Sequence, residues 1–123
     1  MPRVIHFEIP TDNPERAVDF YREIFGWQFQ KWNGPQEYWL VTTGPDGQPG
    51  INGGLLRRPK GPGAGTVNTI DVASVDEAVA AIEKAGGKNV VPKMAIPGVG
   101  YLAYCADPDG NVFGIMHEDR GAK

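Results

Sequence analysis

Residues 4–27 read VIHFEIPTDNPERAVDFYREIFGW, and the change of rhythm inside this stretch decides the fold. From Arg3 to Ile9 apolar and polar residues alternate, the period of a strand with one buried face. Ile5, Phe7 and Ile9 fall on that face, which leaves Val4, His6 and Glu8 on the other. Beyond Pro10 the spacing becomes helical: Ala17, Phe20, Tyr21, Ile24 and Phe25 make an apolar stripe, and Glu15, Arg16, Asp19, Arg22 and Glu23 take the wet side. Asp12 or Asn13 can cap this helix, Pro14 suits its first turn and Gly26 its stop.

The same order returns about sixty residues later. A strand from about Thr66 to Val72, containing VNTIDVA, leads into SVDEAVAAIEKAGG, where Ser74 and Glu77 have the spacing of a capping box and Gly86 and Gly87 end the helix. Val75, Ala78, Val79, Ile82 and Ala85 supply its stripe. Strand-like runs follow each helix, WQFQKW and EYWLVTT in the first half, KNVVPK and GYLAYC in the second. Each half then turns on the same letters, GPDG at Gly44–Gly47 and DPDG at Asp107–Gly110, before a last strand, INGGLLRR or NVFGIMH.

The chain is therefore expected to be α+β: two tandem βαβββ modules forming a curved, open-barrel-like mixed sheet with helices on the outer side. One domain over residues 1–123 is expected, with module one at about 1–58, the Pro/Gly-rich joint RRPKGPGAG at 57–65, and module two at about 66–119. A groove on the sheet face away from the helices is the natural place for a ligand.

With these residues in view, the chain resembles the vicinal oxygen chelate proteins, the glyoxalase, bleomycin resistance and extradiol dioxygenase superfamily. HFEIPTDNPERAVDFYREIFGW and YCADPDGNVFGIM carry the resemblance, which spans nearly the whole chain. Its members include isomerases, dioxygenases, antibiotic-modifying enzymes and proteins that bind a drug, so the fold does not fix the activity. Metal-dependent members place a ligand in the first strand of each module and a carboxylate, usually Glu, in the last strand of one or both. Carried over, these positions are His6, Thr69, Gly54 and Gly114, of which only His6 has a ligand side chain. A catalytic divalent ion commonly needs about three protein ligands. His6 would have to recruit Glu8, or His117 and Glu118, and His117 is expected to face the helix side with Phe113 and Ile115.

The candidate ligand-binding residues are His6, Glu8, Asn52, Gly54, Thr69, Asp71, Gly114 and Met116, with His6 the one candidate for a metal; no catalytic residue is assigned. Each has a plainer reading. His6 can be a hydrogen-bonded structural histidine, Glu8 and Asp71 solvated or paired acids, Asn52 a turn group, and the glycines marks of close backbone approach. Trp27, Trp32, Tyr38, Trp39, Tyr101 and Tyr104 are expected mainly in the core or at an interface, with one or two lining the groove. The lone Cys105 reads as inert.

The leading expectation is a small-molecule-binding member of the superfamily that lacks the usual metal-ligand set. The alternatives are a metal-dependent lyase, isomerase or dioxygenase of the lactoylglutathione-lyase-like type, and a non-catalytic interaction module. No cofactor is expected, a divalent metal being the one candidate, and a homodimer is expected by family analogy. A net charge of -3 with no basic run suited to phosphates argues against nucleic acid as a partner. No apolar stretch reaches the roughly 20 residues of a membrane span, and MPRVIHFE lacks the apolar run of a signal peptide. With a single cysteine, these features point to the cytoplasm.

Overall fold

The computed structural model describes residues 2–34, 36–58 and 65–123, and within them lie eight strands and two helices. In chain order these are β1 (Val4–Thr11), α1 (Pro14–Phe25), β2 (Gln28–Lys31), β3 (Tyr38–Thr42), β4 (Gly53–Arg57), β5 (Val67–Asp71), α2 (Val75–Lys84), β6 (Lys88–Ile96), β7 (Gly100–Ala106) and β8 (Val112–Glu118). The architecture is α+β, two βαβββ modules, as the repeat predicts. Contacts divide the chain into two compact units, His6–Thr66, and Val67–Lys123 with the first residues through Ile5. Most of the predicted joint, residues 59–64, lies outside the described residues.

Local chemistry sets the helix ends. The Asn13 side chain accepts the Arg16 amide, Pro14 opens α1, and Gly26 closes it at φ 71°, a left-handed conformation that glycine adopts at little cost. Ser74 caps α2 through the Glu77 amide at 3.2 Å. The two DG turns also behave as read, with Gly47 at φ 87° and Gly110 at φ 89°. Asp107 organises the second turn. It accepts from the Asp109 and Asn111 amides and from the Asn111 side chain, bonds that hold its carboxyl below the ordinary carboxylate range.

In module one the strand order is β2-β3-β4-β1, with β1 parallel to β4 and the other neighbours antiparallel. Its core is Val18 from α1 with Val41 and Leu55, surrounded by Phe7, Ile9, Tyr21, Trp27, Phe29 and Trp39. Module two repeats the plan as β5-β8-β7-β6, with β5 parallel to β8. Here Val75 from α2 packs on Ala103, Cys105 and Ile115. Full burial of Leu55, Val41, Val75 and Ile115 contributes about 1.5–3 kcal/mol each.

Two local expectations shift. Ile5, placed on the apolar face of β1, is 43% exposed, because the pairing of β1 with β4 starts only at Phe7. The run KNVVPK extends to Ile96 as one strand, since β6 has only one neighbour in its module. Register shifts on either side of Val91 let this outer strand accommodate Pro92.

Candidate functional site

The two modules place their candidates on the sheet face opposite their own helix, and each is built in the same way. In module one, strand alternation sends Trp39, Val41 and Leu55 toward α1. Tyr38, Leu40 and Gly54 are thereby turned to the other face, along with His6 and Glu8 from β1. Glu8 lies directly opposite Gly54 in the parallel pairing, and Leu40 opposite Gly54 in the antiparallel one. Tyr38 lies opposite Leu56, two residues further along β4.

From there the Tyr38 side chain leans back over Gly54. A Cβ built on Gly54 would fall on the phenol of Tyr38, so the ring crosses the strand only because position 54 is bare. On the far side, Tyr38 Oη shares a hydrogen bond of 2.9 Å with His6 Nε2. Trp32 braces the tyrosine: its ring lies edge-on at 6.3 Å between centroids, and its backbone N–H donates to the Tyr38 carbonyl at 2.8 Å.

The electrostatics follow from burial. Half-buried His6 has its pKa lowered from 6.5 because desolvation disfavours the imidazolium, and the carboxylate of Glu8, two residues along the strand, opposes that shift only partly. The imidazole is therefore neutral at physiological pH. Glu8 itself is 9% exposed, more buried than a solvated strand acid.

In module two Thr69, 2% exposed, pairs with Gly114, and Gly114 pairs on its other side with Tyr104. A Cβ at Gly114 would sit 3.2 Å from Thr69 Oγ1 and 3.5 Å from the Tyr104 ring. Met116 lies on the same face two residues on, and Asp71, opposite it, is exposed as a solvated acid would be. Strand pairing also corrects the internal alignment. Thr69 lies opposite Gly114 as Glu8 lies opposite Gly54, so the counterpart of Thr69 is Glu8, and that of His6 is Val67. A slip of two residues preserves the face of every strand side chain, so alternation alone cannot detect it. The helix caps can, because Glu8 stands five residues before Asn13 and Thr69 five before Ser74.

Other candidates take plainer roles. Asn52 Oδ1 accepts the Thr43 amide at 2.9 Å and ties the ends of the loop between β3 and β4. His117 faces its helix as expected, and its Nδ1 accepts the backbone N–H of Val75 at 2.9 Å, a second cap on α2. Cys105 is fully buried, and that burial raises its pKa, which makes its thiol unreactive.

The residues of module one do not fit a divalent ion. The Tyr38 phenol stands where a side chain at position 54 would begin, and the same phenol is hydrogen-bonded to Nε2 of His6. Among the described residues, no group of three His, Cys, Asp or Glu side chains converges as metal ligands. Tyr38 itself is absent from the candidate ligands read from sequence. The signal for it was alternation in YWLVT, which opposes Tyr38 to the core residues Trp39 and Val41.

With this geometry in place, comparison with known proteins settles the class. Residues 3–115 match the Glyoxalase/Bleomycin resistance protein/Dioxygenase superfamily, and the chain belongs to that family. A glyoxylase-like domain-containing protein of Didymella fabae is 30% identical over 112 residues, 88% of each chain. The anthracycline biosynthesis protein DauV of a Streptomyces species is 27% identical over an alignment of 127 positions, which takes in 91% of this chain but 46% of that protein. The chain thus spans about half the length of DauV. Among solved structures, methylmalonyl-CoA epimerase from Mycobacterium tuberculosis superposes with a TM-score of 0.69 at 12% identity, covering 94% of this chain and 87% of the other, a likeness of fold. None of the described helices is long and apolar enough to cross a membrane.

Proposed function

We propose that this chain binds a small organic ligand on the open sheet face of module one without using a divalent ion. A single observation carries the reading: Tyr38 lies over Gly54 and is bonded to His6, so both family ligand positions in this module are given over to a phenol–imidazole pair. Half-exposed apolar side chains beside it, Leu40 at 43% and Trp32 at 38%, offer a ligand contact area. The similarity to DauV supports a ligand of natural-product size, whereas the epimerase resemblance is one of fold.

His6, Glu8, Gly54 and Tyr38 form the binding face in this reading. Thr69, Gly114 and Met116 form its counterpart in module two, while Asn52 and Asp71 serve structure and solvation. A metal-dependent lyase, isomerase or dioxygenase would need donors beyond His6 and Glu8 on this face. A purely structural interaction module would leave the half-exposed Trp32 and Leu40 without a ligand.

The proposal extends to a homodimer in the cytoplasm. Phe20, Ile24 and Phe25 on α1 are each more than half exposed and favour association, and the buried thiol of Cys105 suits a reducing compartment. Thermal unfolding in the presence of flat aromatic ketones and phenols tests the binding function. Saturating ligand is expected to raise the Tm by mass action, and less so in His6→Ala. A panel that leaves the Tm of the wild-type chain unmoved contradicts the proposal.

A further inference from the structure

The chemistry around the His6–Tyr38 pair narrows the class of ligand, an inference that rests on the binding function proposed above. The geometry points to a neutral oxygen acceptor, a ketone or an equivalent carbonyl on a flat apolar body, held by the Tyr38 hydroxyl in module one.

Three observations converge. First, the pair can relay polarity. A neutral imidazole carries one N–H, and with that hydrogen on Nε2 it donates across the 2.9 Å contact into the phenol oxygen. The phenolic hydrogen is then turned outward and made a stronger donor.

Second, the face offers no cation to an anionic ligand. His6 is held neutral by burial, and the buried Glu8 carboxylate stands two residues away on the same side. Nearby cations are occupied elsewhere: Arg57 Nε donates to Glu37 at 2.9 Å, Arg58 Nε donates to Asp12 at 3.1 Å, and Lys31 lies over the Trp39 ring. A carboxylate or phosphate would therefore meet like charge without a counter-ion.

Third, the surroundings are apolar and flat. Leu40 shares the face of Tyr38, and Trp32 flanks the phenol edge-on. A planar body can lie against both while its oxygen reaches the hydroxyl.

Three probes of one shape test this: 2-acetylnaphthalene, 2-ethylnaphthalene, which replaces the carbonyl by a methylene, and 2-naphthoate. Their affinities are measured by tryptophan fluorescence for the wild-type chain, for Tyr38→Phe, and for Gly54→Ala, which keeps the phenol but puts a methyl in its path. Thermal unfolding checks that each variant is folded. The ketone is expected to bind the wild type about fivefold more tightly than the hydrocarbon, the worth of one net hydrogen bond, and more tightly than the carboxylate. Both variants are expected to erase the ketone's preference over the hydrocarbon while still binding the hydrocarbon. Equal affinity of ketone and hydrocarbon for the wild type, survival of the preference in Tyr38→Phe, or tightest binding of the carboxylate overturns this inference and leaves small-molecule binding standing. If none of the three binds the wild type, the binding function itself fails.

Discussion

The two modules are copies of one plan that diverge at a single glycine. Gly54 and Gly114 occupy the same place, each one residue before a fully buried core side chain, Leu55 or Ile115, and each paired with the first strand of its module. Around Gly114 the bare position is bordered by the Thr69 hydroxyl and the Tyr104 ring at ordinary packing distances. Around Gly54 it is crossed by Tyr38, which reaches His6 on the other side. Module two keeps a glycine as packing; module one uses it as a passage between two polar side chains. The difference traces to position in the strand pair, since Tyr104 lies directly opposite its glycine and Tyr38 lies two residues away.

Substitution at the two glycines should break the comparison most visibly. Gly54→Ala displaces a phenol and costs its bond to His6, a loss of about 2 kcal/mol of stability in denaturant unfolding. Gly114→Ala asks only the Thr69 hydroxyl to give way by a few tenths of an ångström, so its expected cost is under about 1 kcal/mol. Equal costs would mean that Tyr38 is no more tightly placed than Tyr104.

A smaller effect separates the modules by pH. Burial depresses the pKa of His6 below its value of 6.5 in the unfolded chain, so the unfolded state takes up protons first as pH falls. Stability contributed by neutral His6 is fully present above that value and is lost as pH drops from 6.5 toward the lowered native value. Val67, at the matching position of module two, contributes no such dependence. His6→Gln should flatten the decline in unfolding free energy between neutral pH and about pH 5. An unchanged profile would contradict a buried, neutral His6.

Much of this architecture was legible in the sequence because it is local. Asn13, Pro14 and Gly26 announce α1, Ser74 announces α2, and the two DG turns mark where each last strand begins. The orientation of His117 toward its helix follows from strand alternation alone. The candidate site was half legible. His6, Glu8 and Gly54 share a face by periodicity, but Tyr38 joins them through a side chain that spans 32 positions in sequence and two residues along a strand. Such a reach depends on the tertiary space left by a glycine, which no periodicity encodes. The mistaken pairing of His6 with Thr69 has a related cause, because a two-residue slip leaves the apolar pattern intact and only the distance to the helix cap reveals it.

Metal content of the purified chain tests the central claim most directly. After incubation with excess Zn2+, Ni2+ or Mn2+ and removal of unbound metal, elemental analysis should find well under one ion per chain, unchanged in His6→Ala, with the Tyr38–His6 bond intact. One tightly held ion per chain, lost in His6→Ala, would show that the imidazole serves a metal and not the phenol.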